Sequence, residues 1–181
     1  LKVKWAFAMP TDLTAFGQPT VAGGRVFIGS QTGFVYSLDA SSGCVNWYFQ
    51  ASSWVRDAFS FGKLGTTEAV YFADGVANAY AVDAQSGKQI WKTKLDDFPS
   101  ARGTGSPALY NGKLFYGVAS GEEAAGASPD YQCCKFRGSM VALDATIGKI
   151  LWKTYTVDIP KPTKKNSKGT QLYGPSGAPI W

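Results

Sequence analysis

The segment Ala81-Val82-Asp83-Ala84-Gln85-Ser86-Gly87-Lys88-Gln89-Ile90-Trp91 is one of three related copies in this chain. Residues 37–47 and 142–152 repeat its pattern of a small residue, any residue, Asp, three residues, Gly, three residues and Trp. An alternating strand leads into each Asp, whose short side chain can bond backbone N–H groups two residues on. The Gly then supplies the positive φ of a tight turn. Each copy therefore predicts a β-hairpin.

The spacing of the copies indicates how the hairpins are assembled. Trp47 and Trp91 lie 44 residues apart, and Trp5 lies 42 residues before Trp47. Repeats of about 40–45 residues are typical of the four-stranded blades of a β-propeller. Trp152 follows Trp91 by 61 residues, so the third unit carries an insert. We assign Trp5, Trp47, Trp91 and Trp152 to packing between blades.

The sequence therefore predicts an all-β chain of four-stranded propeller blades, about three of them, with flanking strands. Unpaired strands at both ends would be exposed, so we expect the chain to be part of a larger ring. The expected units are a last strand of a preceding blade at 1–7, blades at 18–50, 68–94 and 105–155, an insert at 119–137 and the start of a further blade at 170–181.

Composition excludes several classes of protein. The chain has no histidine, so it can hold no Ser-His-Asp triad, no His-ligated zinc and no Cys-x-x-Cys-His haem attachment. No stretch approaches the roughly 20 apolar residues of a membrane span. The net charge is +5, and its densest basic run, at 161–165, lacks interleaved aromatics. We interpret this run as a solvated loop and expect no nucleic-acid binding.

The three cysteines form one adjacent pair and one isolated residue. Cys133 and Cys134 are adjacent, and their Cα atoms would be closer than in an ordinary disulfide. Two reduced, partly buried thiols and a strained disulfide ring both remain open on this ground. Cys44 occupies a repeat position that carries Lys in the other two copies, and we expect a buried or half-buried free thiol there.

The repeat resembles the tryptophan-docking repeat of the pyrroloquinoline quinone (PQQ) dehydrogenases, which are eight-bladed propellers. Cys133-Cys134-Lys135-Phe136-Arg137-Gly138-Ser139 and Ser120-Gly121-Glu122-Glu123 resemble the branch of this family that oxidises polyvinyl alcohol. The resemblance covers essentially the whole chain. Related blades also serve as scaffolds in outer-membrane assembly lipoproteins, so function must come from the site residues.

The resemblance implies roles for the two motifs of the insert. A Cys133–Cys134 disulfide would lie against one face of the quinone. Ser120 would bond the quinone and Glu123 would ligate calcium, whose preferred ligands are oxygens, while Glu122 would face solvent. In the methanol-oxidising relatives, however, the cysteine pair sits just ahead of the arginine that matches Arg56, one blade earlier than here.

The resemblance also implies cofactor contacts elsewhere. Thr104 matches a threonine whose hydroxyl bonds the cofactor, and Arg56 matches an arginine that pairs with the anionic oxygens of the quinone. Arg102 and Arg137 are further candidates for the same work. Trp181 would support the other face of the quinone.

By the same resemblance, the protein would oxidise an alcohol, with secondary alcohols of a polymer such as polyvinyl alcohol as substrate. PQQ and Ca²⁺ would be the cofactors and a cytochrome c the electron acceptor. A disulfide between neighbours favours an oxidising compartment, here the periplasm. The catalytic Asp of the family would lie beyond Trp181, so we expect this chain to be inactive alone.

Two other functions remain open. A non-enzymatic scaffold that binds partner proteins would need neither the adjacent cysteines nor Ser-Gly-x-Glu. A sugar- or polymer-binding propeller would instead show stacking aromatic residues scattered over one face.

Overall fold

Antiparallel sheets dominate the computed structural model of the chain, which describes residues 2–180. The first sheet contains β1 (Thr20–Ala22), β2 (Arg25–Gly29), β3 (Phe34–Asp39) and β4 (Val45–Gln50). The second contains β5 (Ser60–Leu64), β6 (Thr67–Ala73), β7 (Asn78–Asp83) and β8 (Gln89–Lys94). The third contains β9 (Ala101–Gly103), β10 (Ala108–Tyr110), β11 (Lys113–Ser120), β12 (Ser139–Asp144) and β13 (Ile150–Tyr155). The prediction of four-stranded propeller blades is confirmed.

Each sheet is a meander in which consecutive strands pair. In the third sheet, β9 also pairs with the C-terminal end of β11, at residues 118–120. The second sheet begins at Ser60, so the predicted unit 68–94 covers its last three strands. The third sheet runs to Tyr155 and is interrupted between β11 and β12, where the sequence predicted the insert at 119–137.

The repeated Asp forms the turn between the last two strands of each sheet, as the sequence predicted. The Asp83 carboxylate accepts hydrogen bonds from the backbone N–H groups of Gln85 and Ser86, at 3.0 and 2.6 Å. Asp39 and Asp144 accept the equivalent bonds in the other two sheets. Gly87 then adopts a φ of 71°, a conformation open to glycine without steric cost.

The same glycine packs against a tryptophan of the preceding sheet. Trp47 donates its indole N–H to the carbonyl of Ala84 at 3.0 Å, and Trp91 donates to Ala145 at 3.0 Å. A Cβ atom on Gly87 would lie 2.7 Å from the indole of Trp47, so only glycine leaves room for the ring. Both tryptophans are buried, which confirms their predicted packing role. Trp152 is 43% exposed, because within residues 2–180 no further four-stranded sheet follows the third to cover its ring.

Two apolar clusters fill the spaces between successive sheets. The first joins Phe27 and Trp47 to Phe72 and Tyr80 of the second sheet. The other joins Tyr71 and Trp91 to Leu114 and Tyr116 of the third sheet and to Phe136. Phe136 belongs to the insert, so the insert is anchored in the core between blades.

The ends of the described chain differ from the blades. Residues 2–7 contain no strand, although Trp5 donates to the Ala40 carbonyl at 3.1 Å as Trp47 does to Ala84. The predicted start of a further blade at 170–181 contains β15 (Gln171–Gly174), which pairs with β14 (Lys161–Lys165) in a separate two-stranded sheet. Within residues 2–180, no helix has the length and hydropathy that a membrane span requires.

Two local expectations were wrong. The basic run Lys161–Lys165 is a strand rather than a loop, because the Asn166 side chain accepts bonds from the N–H groups of Lys168 and Thr170 and closes a hairpin. Its side chains are nevertheless exposed, as expected. Cys44 is a free thiol but is exposed rather than buried, because it follows Gly43 at the turn that leads into β4.

Candidate functional site

The insert joins the paired ends of β11 and β12. It contains a short helix, α1 (Glu122–Gly126), followed by irregular chain that carries Cys133 and Cys134. These two cysteines form a disulfide between neighbours, across a cis peptide bond. The disulfide lies against the end of α1, since a Cβ atom on Gly126 would be 2.7 Å from Cys133 Sγ.

Glu122 is buried inside the insert, which corrects the expectation that it faces solvent. Its side chain is 2% exposed. The carboxylate accepts hydrogen bonds from the Tyr131 hydroxyl at 3.1 Å and from the backbone N–H groups of Lys135 at 2.7 Å and Phe136 at 2.6 Å. Buried carboxylates need such donors to offset their lost hydration. Burial is the main cause that raises the pKa of Tyr131, and the bond to Glu122 adds to it.

Glu123, the next residue, is exposed. It lines a cavity of about 380 Å³ together with Ser120, Glu122 and Cys134. The remaining lining residues are Phe136, Ser176, Gly177 and Pro179. The structure therefore brings together three of the predicted site residues, Ser120, Glu123 and Cys134, which come from opposite ends of the insert.

Thr104 directly follows β9. Gly103 and Ala101 pair with Val118 and Ser120, so Thr104 lies beyond Gly103, on the side away from Ser120, and it does not line the cavity. The Thr104 hydroxyl is buried and has no hydrogen-bond partner among residues 2–180. A buried hydroxyl is normally bonded, so this group is suited to a ligand.

Two arginines share one tryptophan near the insert. The Arg56 and Arg102 guanidinium carbons lie 5.7 and 6.0 Å from the ring centroid of Trp54. The Arg102 guanidinium also lies against Gly121, where a Cβ atom would collide with it. Positive charge therefore adjoins the Ser120–Glu123 motif. Trp54 was not identified from the sequence, because it lies outside the repeat that marks the other tryptophans.

Arg137 lies apart from the cavity that Ser120, Glu123 and Cys134 line. Its guanidinium donates to the Val157 carbonyl at 2.9 Å and stands 3.7 Å from the ring centroid of Tyr155. Of the predicted site residues, Trp181 lies outside the described part of the chain. Among residues 2–180, no group of three His, Cys, Asp or Glu side chains is arranged to hold a metal ion.

Asp57, beside Arg56, is a second buried carboxyl group near this region. It is 2% exposed, and its Oδ2 atom accepts a bond from the Ala73 N–H at 2.8 Å. The other oxygen has no partner among the described residues. Burial raises the pKa of Asp57 to about 7, and the charge of Asp74 contributes to the shift.

This raised pKa predicts a pH-dependent stability. Between the ordinary value of 3.8 and about 7, the folded chain holds a proton that the unfolded chain has released. The contribution of Asp57 to the free energy of unfolding is thus fully present below pH 3.8. It is lost as the pH rises from 3.8 through 7. We expect Asp57→Asn to remove a slope of up to about 1.4 kcal/mol per pH unit in the free energy of unfolding.

Denaturant unfolding of the full-length gene product at several pH values between these limits measures the slope. Asp97→Asn is the matched control, because Asp97 is exposed and should leave the slope as in the wild type. An unchanged slope in Asp57→Asn would contradict the assignment.

Comparison with known proteins places this chain in a family. A PQQ-repeat family model described as outer membrane protein assembly factor BamB matches residues 2–161. A polyvinylalcohol dehydrogenase of Pseudomonas sp. is 46% identical over 100% of this chain and 29% of its own length. One from Sphingopyxis sp. is 45% identical over 100% of this chain and 28% of its own length. The chain thus spans less than a third of these relatives.

Solved structures agree on the fold. A europium-containing methanol dehydrogenase matches with a TM-score of 0.68 and 21% identity, covering 87% of this chain and 27% of that one. BamB from Moraxella catarrhalis matches with a TM-score of 0.52 and 14% identity over 87% of this chain and 54% of that one. At these identities the likeness concerns the fold alone.

The chain is a set of PQQ-type β-propeller blades. It belongs to the PQQ-repeat family, and relatives that match its full length at 45–46% identity are the polyvinylalcohol dehydrogenases named above.

Proposed function

We propose that the protein containing this chain is a PQQ- and calcium-dependent alcohol dehydrogenase. Its proposed substrates are secondary alcohols of polyvinyl alcohol, its electron acceptor is a cytochrome c and its compartment is the periplasm. The observation that carries the proposal is the cavity on which Ser120, Glu123 and Cys134 meet. The two polyvinylalcohol dehydrogenases at 45–46% identity support the choice of substrate.

The residues around the cavity fit a planar, anionic quinone and a hard cation. The exposed Glu123 carboxylate offers oxygen to Ca²⁺, which prefers such ligands. The unpartnered Thr104 hydroxyl and the Arg56–Trp54–Arg102 group offer a hydrogen bond and positive charge for an anionic ligand. Cys134 of the disulfide lines one side of the cavity, where a planar ring would lie against it.

When bound, the quinone would supply the two-electron oxidation of the alcohol, with calcium as Lewis acid. The residues of this chain would bind and orient the quinone. Ser120 is 3% exposed and its oxygen accepts a bond from the Glu122 N–H at 3.2 Å, so its hydroxyl hydrogen remains available for a ligand. Arg137 does not line this cavity, so its contact with a cofactor stays a prediction, as does that of Trp181.

A scaffold function is the second candidate, because the matching family model carries the description of an assembly factor. A scaffold needs no calcium and no quinone. The Ser120–Glu123 motif and the disulfide would then have no ligand, and their substitution would leave partner binding unchanged.

Titration of the full-length gene product with PQQ, with and without Ca²⁺, tests the proposal. Binding is followed by fluorescence quenching and turnover by dye reduction with a secondary alcohol. We expect calcium-dependent binding that Cys133→Ser/Cys134→Ser weakens. Absence of quinone binding in the intact wild-type protein would overturn the dehydrogenase and favour the scaffold.

A further inference from the structure

The buried carboxylate of Glu122 has all its side-chain partners in one short segment. We name residues 131–136 the disulfide loop. Glu122 Oε1 accepts from the Tyr131 hydroxyl and the Lys135 N–H, and Oε2 accepts from the Phe136 N–H. These donors lie on both sides of Cys133 and Cys134 in sequence, so one carboxylate closes the loop around the disulfide.

Glu122 is equally fixed at its backbone. Its N–H donates to Ser120 Oγ at 3.2 Å, and Glu123 follows it directly in α1. The end of the same helix supports the disulfide, because Gly126 leaves room for Cys133 Sγ. The side chain of Glu122 therefore joins the two halves of the cavity wall, the Ser120–Glu123 motif and the disulfide loop.

A second anchor keeps the loop attached when this carboxylate is altered. The Tyr173 N–H of β15 donates to the Cys133 carbonyl at 2.8 Å. Phe136 is also buried in the core between the second and third sheets. Loss of the Glu122 bonds should hence loosen the loop locally and leave the blades folded.

We propose that Glu122 is a positioning residue that holds the Cys133–Cys134 disulfide in a fixed place beside Ser120 and Glu123. The inference rests on the proposed function for the cofactor that this wall contacts. The hydrogen bonds between Glu122 and the disulfide loop are independent of any cofactor, and their effect on the disulfide can be measured without one.

The first test is the rate at which dithiothreitol reduces the disulfide in the full-length gene product without added quinone, read by alkylation and mass spectrometry. Glu122→Gln keeps the side-chain shape but turns an amide N–H₂ toward a backbone N–H. Leaving such a buried donor unpaired is costly, and we expect reduction about 10- to 100-fold faster, at a tenfold change per 1.4 kcal/mol.

Glu123→Gln is the matched control, because the neighbouring Glu123 carboxylate is exposed, so its substitution should leave the reduction rate within about twofold of wild type. Tyr131→Phe removes one of the three donors and should raise the rate about threefold to tenfold. It serves as the second variant if Glu122→Gln does not fold. A wild-type reduction rate in both variants overturns the proposal.

The second test is the affinity for PQQ in the presence of Ca²⁺, together with the absorption spectrum of the bound quinone. We expect Glu122→Gln to weaken binding about tenfold and to alter the spectrum. Faster reduction with an unchanged affinity and spectrum would mean that Glu122 stabilises the loop without positioning it for the cofactor, which also overturns the proposal. If the wild type binds no PQQ, the proposed function fails, and the reduction rates still decide whether Glu122 holds the loop.

Discussion

Glu123→Gln should lower the turnover of a secondary alcohol by the full-length gene product on the order of 100-fold or more. The substitution removes one negative charge from the exposed cavity wall that Ser120 and Cys134 share. A hard cation depends on carboxylate oxygen, so its affinity should fall with the charge. The calcium concentration that gives half-maximal turnover should rise in parallel.

Steady-state rates across a calcium titration measure this prediction. Glu68→Gln is the matched control, because Glu68 is also exposed but lies at the start of β6, outside the cavity. A Glu123→Gln protein with wild-type turnover and wild-type calcium dependence would remove Glu123 from the metal site.

Trp91→Ala should destabilise the folded protein by about 3–5 kcal/mol, the usual cost of deleting a large buried aromatic side chain. Trp91 is 7% exposed, packs against Tyr71 at 5.9 Å between ring centroids and donates to the Ala145 carbonyl. The indole also fills the space above Gly148, where a Cβ atom would lie 2.6 Å away. Its removal would leave a cavity at the contact between the second and third sheets.

Chemical denaturation of the full-length gene product gives the change in the free energy of unfolding. Tyr48→Ala provides the comparison, since Tyr48 is an aromatic residue of β4 that is 66% exposed and should cost less than about 1 kcal/mol. Equal losses in the two variants would show that the docking contact contributes no more than an exposed ring.

The blades could be predicted from the sequence because their constraints are local and repeated. The Asp83 turn, the positive φ of Gly87 and the burial of Trp91 each follow from one residue type at one offset, and three copies reinforce the pattern. The strand at 161–165 has no apolar alternation, so its hydrophobic pattern gave no signal. Its hairpin depends instead on the side chain of Asn166.

The site was only partly predictable for a different reason. Glu122 and Glu123 are neighbours in a one-turn helix, where successive side chains point about 100° apart, and the sequence alone does not state which one faces inward. The Arg56–Trp54–Arg102 group joins the loop between β4 and β5 to strand β9 of the third sheet and has no signature in sequence spacing. The disulfide and its place on the cavity came from the resemblance to a family rather than from the residues alone.

The position of the insert has a consequence for how such proteins acquire new chemistry. Val118 of β11 pairs directly with Ser139 of β12, so the chain leaves and re-enters the blade at adjacent points of one hairpin. Apart from Ala119 and Ser120, which pair with β9, and the buried Phe136, the segment between them can change in length or composition while the strand register stays the same. An insert that is held together by its own hydrogen bonds and disulfide could therefore be gained, lost or exchanged between β-propellers as a single unit.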